Sequence, residues 1–139
     1  MGRKGAESQE QQSAVAALQA AGAEIAIARA DVSRRSEVEA VLLQIRERLP
    51  ALRGIVHAAG LLDDGLLEQQ DAERFAKVFA PKIAGALHLS ELTQEERLDF
   101  FVLYSSVASL GAPGQASYAA ANAFLDALAE ARRARGLPG

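Results

Sequence analysis

The sequence contains no cysteine and no tryptophan. Without cysteine the chain can form neither a disulfide scaffold nor a thiolate metal site, and its two histidines, His57 and His88, are too far apart in sequence to suggest a histidine metal site. No run approaches the roughly 18 apolar residues that a membrane span needs, and the polar N-terminus has no signal peptide. A net charge of −3 with dispersed basic residues argues against a nucleic-acid partner. We expect a cytoplasmic chain with no metal and no membrane contact.

Half of the 139 residues are apolar, which is enough for one domain with a hydrophobic core. Helical and strand periodicities alternate along the chain, and this alternation predicts an α/β fold with a parallel sheet and helices packed on both faces. Val15 and Leu18 are predicted to face inward from the first helix, Ser33 to cap the second and Pro50 to end it. The predicted helices are 6–21, 34–49, 72–92 and 116–134, and the predicted strands are 24–30, 54–57 and 99–104.

Each predicted strand ends in polar or small residues. In parallel sheets ligands bind beyond the carboxyl ends of the strands. The first strand ends at Asp31, the second runs from His57 into Ala58-Ala59-Gly60, and the third ends at Ser105-Ser106. Asp31 also suits a helix N-cap and the small residues suit a tight turn, but their convergence on one edge favours a binding site there.

Tyr118 and Asn122 are four residues apart on the last predicted helix, so they share one face of it. A tyrosine close to a strand end is well placed to give a proton to a carbonyl oxygen. A buried tyrosine and asparagine with ordinary hydrogen bonds would leave the same pattern, and the spacing alone does not separate the two readings.

Several motifs occur in an order that resembles one family. They are GRKG at 2–5, ADV at 30–32, LRGIVHAAGLLDDGLL at 52–67, FAPKIAGALHL at 79–89 and SSVASLGAPGQASYAAANAFLDALA at 105–129. The chain resembles the ketoreductase domain of modular polyketide synthases, a member of the short-chain dehydrogenase/reductase superfamily. The resemblance implies a Rossmann-like, doubly wound parallel sheet. Residues 1–139 would be the central part of a single catalytic domain, without its first strands, its Gly-rich loop and its last strands.

The resemblance implies a role for four residues in catalysis. Tyr118 matches the general acid that protonates the substrate carbonyl, and Lys82 matches the lysine that assists the tyrosine in the proton relay. Asn122 occupies the position four residues after the tyrosine. The hydroxyl that holds the substrate oxygen is Ser106 by its distance from the strand end, or Ser105 by counting back from Tyr118, and we favour Ser106.

The resemblance also implies NADPH as the cofactor. Arg3 matches the arginine that meets the 2′-phosphate, where a guanidinium fork suits a phosphate. Asp31 and Val32 match the pair that holds the adenine. The stretch that faces the ribose and nicotinamide is matched by His57, Ala58, Ala59 and Gly60. The Gly-rich loop that grips the pyrophosphate has no counterpart in these residues.

The implied reaction is NADPH-dependent reduction of a β-ketoacyl thioester on an acyl carrier protein, with other synthase domains as partners. Leu62, Asp63 and Asp64 match the LDD tripeptide of ketoreductases that form the D-configured (B-type) alcohol. The absence of tryptophan agrees with this class, whereas Ser117 departs from it. Two alternatives stay open: a short-chain reductase that acts on a free small ketone, and a non-catalytic structural remnant of a synthase.

Overall fold

The computed structural model describes residues 1–139 and contains five α-helices and two β-strands. Two further 3₁₀ turns cover Leu67–Gln69 and Val107–Leu110. Between the third and fourth helices, Ala80–Ala84 forms a π-helical turn. The elements in chain order are α1 (Gln9–Ala20), α2 (Arg35–Arg48), β1 (Gly54–His57), α3 (Ala72–Phe79), α4 (Gly85–Leu92), β2 (Phe100–Leu103) and α5 (Ala116–Ala134).

The two strands form a parallel pair, with Gly54 opposite Phe100 and His57 opposite Leu103. The predicted α/β fold with a parallel sheet is thereby confirmed. The predicted strand at 24–30 is wrong, because this segment is extended but makes only one isolated bridge, from Arg29 to Gly2. A strand needs a neighbour along its length to satisfy its backbone groups, and within 24–30 only the carbonyl of Ala28 and the N–H of Ala30 bond to another segment, both to Gly2.

The hydrophobic core lies on one face of the strand pair. Its members come from the turn before α2, from α2, α4 and both strands; they are Val32, Val38, Leu42, Ile55, Leu89 and Phe101. The opposite face is open, since Val56, Phe100 and Val102 are each about half exposed. The expectation of helices on both faces is therefore met on one face only, because α1 buries none of its residues and does not cover the other.

The first two helices differ from the prediction at their starts. In α1 the N-cap is Ser8, which forms a reciprocal capping box with Gln11, and Leu18 is exposed rather than inward-facing. In α2 the N-cap is Arg34, which has no capping side chain. Ser33 instead donates its hydroxyl proton to the carboxylate of Asp31, so the hydroxyl that was predicted to cap the helix is used in the preceding turn.

The predicted helix 72–92 is present as one continuous helical segment, which consists of α3, the π turn and α4. Pro81 has no N–H and so cannot make the usual helical hydrogen bond to the residue four positions earlier. The N–H of Gly85 reaches back to the carbonyl of Ala80, five residues before it. Single π turns often occur at functional positions, and this one contains Lys82. No helix in the chain combines the length and the apolarity needed to cross a bilayer.

Candidate active site

Lys82 is the centre of a buried polar cluster at the carboxyl end of β2. Its side chain is only 4% exposed, yet its ammonium is well satisfied. Nζ donates to the backbone carbonyl of Tyr104 at 2.9 Å and to Oδ1 of Asn122 at 2.5 Å. An ammonium has three N–H groups, so one is left for another acceptor. Burial lowers the pKa of Lys82 below its ordinary value, and the charge of Asp126 opposes that shift.

The N-terminal half of α5 supplies the other members of this cluster. Asn122 is fully buried, and its Nδ2 donates to the carbonyl of Tyr118 at 2.9 Å, one turn earlier. Its two polar atoms are therefore occupied in opposite directions, towards the helix backbone and towards Lys82. The Lys82 ammonium lies 4.9 Å from the centroid of the Tyr118 ring. The structure thus brings together three of the four residues predicted to be catalytic.

The two serines after β2 have different environments. Ser105 lines a cavity of about 240 Å³ together with Lys82 and Tyr118, and its hydroxyl donates to the carbonyl of Asn122 at 3.3 Å. The hydroxyl of Ser106 instead accepts a hydrogen bond from the N–H of Ala108, so that it caps the following 3₁₀ turn. Ser105, and not Ser106, lines the cavity beside Lys82 and Tyr118, so the geometry favours Ser105 over the predicted Ser106.

We call this space the Lys82 cavity. Its lining is completed by small and apolar residues from the segment after β1, among them Gly60 and Leu62. A Cβ atom at Gly60 would lie 3.2 Å from Cε of Lys82, which is a tighter contact than most Cβ atoms make. A larger residue there would press on the lysine stem, so the glycine preserves the position of the ammonium.

His57 was predicted to bind the cofactor, but its imidazole is buried beneath the long helix and only 3% exposed. Its Nε2 lies 3.1 Å from the carbonyl oxygen of Lys82, a geometry that requires Nε2 to carry the proton and donate it. Burial lowers the pKa of His57. The side chain therefore anchors the backbone of the π turn, and only the backbone of His57 is left to face a ligand.

The other residues predicted to bind the cofactor share a second cavity of about 250 Å³, which we call the Arg3 cavity. It adjoins the Lys82 cavity, since Ala58 and Gly60 line both. Hydrogen bonds from the hydroxyl and N–H of Ser33 hold the pKa of Asp31 below its ordinary value, with smaller contributions from Arg3 and Arg34. The predicted residues that line the Arg3 cavity are Arg3, Asp31, Val32, Ala58, Ala59 and Gly60.

These residues fit part of a dinucleotide. The guanidinium of Arg3 suits a phosphate, the Asp31 carboxylate is an acceptor for amino or hydroxyl groups, and the small residues at 58–60 allow close approach of a flat ring. No segment of the 139 residues has the spacing G-x-G-x-x-G that grips a pyrophosphate. The Arg3 cavity thus has groups for the two ends of such a cofactor and none for its centre.

The LDD tripeptide borders the Lys82 cavity, but its three side chains behave differently. Leu62 is exposed and lines the cavity. Asp63 is tied to Arg74 and Lys77, and these hydrogen bonds, first from Arg74 and then from Lys77, keep its pKa below the ordinary value. Asp64 accepts from the side-chain amide of Gln115 at 2.9 Å. Of the three, only the leucine lines the cavity.

Three participants in this site were not found in the sequence. The carbonyl of Tyr104 is a backbone group, so no residue type signals it. Arg74 and Gln115 are polar residues in exposed stretches, and their partners lie 11 and 51 residues away along the chain. An arginine three residues after Asp71, which caps the helix, has the pattern of an ordinary residue on a helix surface. Only the fold brings these groups to the site.

Comparisons with known proteins identify the family of the chain. The family model described as the KR domain matches residues 1–139. The polyketide synthase GfsA of Streptomyces halstedii is 50% identical over 136 residues, which cover 97% of this chain and 2% of that protein. The spectinabilin polyketide synthase system protein NorB of Streptomyces orinoci is 53% identical over 109 residues, or 78% of this chain and 5% of that protein.

A solved structure shows the same fold. PlmKR1, a ketoreductase from the first module of phoslactomycin biosynthesis in Streptomyces sp. HK803, matches with a TM-score of 0.93 at 37% identity, over 99% of this chain and 32% of that one. The fold and the family model together place the chain in the KR family, the ketoreductase domains of polyketide synthases. It is part of such a domain, since it spans only about a third of the solved ketoreductase.

Proposed function

We propose that these residues form the catalytic centre of an NADPH-dependent reductase that converts a β-ketoacyl thioester on an acyl carrier protein into a β-hydroxyacyl thioester. The observation that carries this proposal is the contact of the buried Lys82 ammonium with Asn122, beside the ring of Tyr118 and a cavity. A buried cation fixed in this way is costly to maintain, and such groups concentrate at functional sites.

In the proposed reaction, Tyr118 gives its phenolic proton to the ketone oxygen while the carbonyl carbon is reduced. The bound cofactor supplies the hydride. Lys82 stabilises the negative charge that then develops on the phenol oxygen, and its remaining N–H is available to a proton relay. Asn122 holds Lys82 in place. Ser105 would turn its hydroxyl proton from the carbonyl of Asn122, a long hydrogen bond of 3.3 Å, to the ketone oxygen, and so fix the distance of that oxygen from Tyr118.

The cofactor part of the proposal rests on the Arg3 cavity. Arg3 would select the 2′-phosphate of NADPH, and Asp31 and Val32 would hold the adenine. The backbone from His57 to Gly60 would face the ribose and nicotinamide. The position of Ala58 and Gly60 in both cavities supports this assignment, because the reactive end of the cofactor must meet the substrate beside Lys82.

For the substrate, the proposal is that Leu62 lines the entry used by the carrier arm and that the product has the D configuration. It is tested in the complete ketoreductase that contains these residues, by chiral chromatography of the reduced product. We expect a mainly D-configured alcohol and faster reduction of a carrier-bound thioester than of a free ketone. A mainly L-configured product would contradict the stereochemical assignment, and preference for the free ketone would favour a small-molecule reductase.

The catalytic assignment is tested by Tyr118→Phe in the same complete ketoreductase. Removal of a general acid should lower kcat by about 100- to 10,000-fold, while NADPH binding measured by calorimetry stays within about threefold of the parent. Tyr104→Phe is the matched control, since it removes the only other phenol of the chain and keeps the carbonyl that Lys82 uses. Equal losses in the two variants would show that Tyr118 is not the proton donor.

A further inference from the structure

Arg74 holds the segment that carries the LDD tripeptide. We call residues 61–66 the LDD loop. The guanidinium donates from Nε and Nη2 to Oδ1 of Asp63, at 3.1 and 2.6 Å, and from Nη2 to the carbonyl of Asp64 at 2.8 Å. Nη1 donates to the carbonyl of Gln69 at 3.1 Å. One side chain therefore fixes both the carboxylate and the backbone of the LDD loop.

The position of Arg74 is itself well determined. Its backbone N–H is held by the N-cap side chain of Asp71, and the arginine and aspartate side chains of the ion pair are only 26% and 16% exposed. A Cβ atom at Gly65 would lie 2.9 Å from Nη1 of Arg74, so a larger residue at this position would require the guanidinium to shift from its present place. Lys77 occupies the second carboxylate oxygen of Asp63 at 3.0 Å. Asp63 is thus fully engaged inside the protein.

The other side of the LDD loop is fastened to the segment before Tyr118. We call residues 111–115 the tyrosine loop. The N–H of Gly65 donates to the carbonyl of Gly114 at 2.8 Å, and the side-chain amide of Gln115 donates to Asp64 at 2.9 Å. Gln115 is the N-cap residue of α5, three positions before Tyr118. Two hydrogen bonds therefore connect the loop that bears Leu62 to the start of the helix that bears the tyrosine.

We propose that Arg74 is a positioning residue that determines stereochemical specificity. It holds the LDD loop against the tyrosine loop, which sets the distance of Leu62 from Tyr118 and hence the face of the ketone that is reduced. Asp63 and Asp64 then act as attachment points within the protein, and Leu62 is the member of the tripeptide that meets the substrate. This inference rests on the proposed function for its stereochemical part only, because the coupling of the two loops is a property of the fold.

The coupling is tested by amide hydrogen exchange in the complete ketoreductase. In Arg74→Leu we expect peptides from both the LDD loop and the tyrosine loop to exchange at least about tenfold faster, since the protecting hydrogen bonds open more often. Arg53→Leu is the matched control. It removes a similar two-bond pair with Asp99, at 2.9 and 2.6 Å, from the opposite end of the strands. Unchanged exchange of the tyrosine loop in Arg74→Leu would overturn the coupling.

The specificity is tested by the product of the same variants. In Arg74→Leu we expect the ratio of the two alcohol configurations to fall at least about tenfold, with a smaller fall in kcat, because the proton donor is intact. Gln115→Leu removes one of the two hydrogen bonds between the loops and keeps the backbone bond from Gly65 to Gly114. It should shift the ratio in the same direction by less, and it provides a second test if Arg74→Leu folds poorly. An unchanged ratio in both variants would overturn the specificity role. A parent enzyme that reduces no thioester would refute the proposed function and leave the exchange result to decide the coupling.

Discussion

The cluster around Lys82 and the N-terminal segment 1–30 are built in opposite ways. Around Lys82, the buried lysine and Asn122 side chains and the backbone carbonyl of Tyr104 satisfy one another, and Asn122 gives the lysine its hydrogen bond to the tyrosine helix. In the N-terminal segment, α1 buries no residue and the extended stretch after it makes one bridge. The groups proposed for proton transfer are therefore fixed within these 139 residues, whereas Arg3, which is proposed for the 2′-phosphate, lies on a weakly packed edge.

The largest expected difference between the two regions is in ligand binding. The 139-residue chain by itself should bind NADPH with a Kd weaker than about 1 mM, or roughly −4 kcal/mol, because no residue here replaces a pyrophosphate-gripping loop. Calorimetric titration with NADPH measures the Kd of the 139-residue chain and of the complete ketoreductase. Submillimolar affinity of the 139 residues would show that the weakly packed edge is already a functional nucleotide site.

A matched pair of leucines tests the difference in packing. Leu125 on α5 is 1% exposed and Leu18 on α1 is 53% exposed. Leu125→Ala should lower the free energy of unfolding by about 3 kcal/mol, since it leaves a cavity, while Leu18→Ala should change it by less than about 0.5 kcal/mol. Urea denaturation measures the free energy of unfolding of the two variants. A similar loss in both would mean that α1 packs far more tightly than its exposure indicates.

A matched pair of amides tests the polar network. Asn122→Ala leaves the buried Lys82 ammonium without its side-chain acceptor, and we expect a loss of about 2 kcal/mol in the free energy of unfolding. Gln12→Ala on α1 removes an amide that only contacts the carbonyl of Glu7 on an exposed surface, and the loss should be below about 0.5 kcal/mol. Chemical denaturation at neutral pH measures the free energy of unfolding of both variants. Equal losses would contradict a tightly satisfied polar cluster around Lys82.

The smallest expected effect is on pH dependence. Burial holds the pKa of His57 below 6.5, its ordinary value, so the unfolded chain binds a proton more readily than the folded one. The free energy of unfolding should therefore fall as pH drops from 7.5 to 5.5, with a contribution of at most about 1.4 kcal/mol per pH unit from this group. His57→Gln should flatten the slope and His88→Gln should keep it. A slope unaltered in His57→Gln would assign it to other groups.

The sequence predicted best what depends on strong local patterns. The bounds of β1 and of α5 agree with the expected 54–57 and 116–134, and the break at Pro50 lies just beyond the end of α2. These segments have clear periodicity and clear ends. The family resemblance added Lys82, whose burial and contacts with α5 the residue pattern around it could not predict.

The failures share a physical cause, which is that a local pattern does not specify its neighbours. Residues 24–30 alternate like a strand, yet strand formation depends on a partner that this segment has only at Arg29. Ser33 suits a helix N-cap, but its hydroxyl donates to the nearby carboxylate of Asp31. The π turn was missed because its hydrogen-bond pattern depends on Pro81 and on the packing of both helix halves.

The parallel register of β1 and β2 also determines the positions of the site residues that follow the two strands. Each residue of β1 is aligned with a partner 46 positions later, so the pairing that sets Gly54 against Phe100 also decides where the segments after both strands emerge. A slip by one residue would move the Tyr104 carbonyl by about 3.3 Å and turn its neighbours to the other face. Lys82 would then lose its backbone acceptor. Single-residue insertions or deletions within either strand should therefore disrupt the site far more than length changes in the turn after α1, which does not set the position of any site residue.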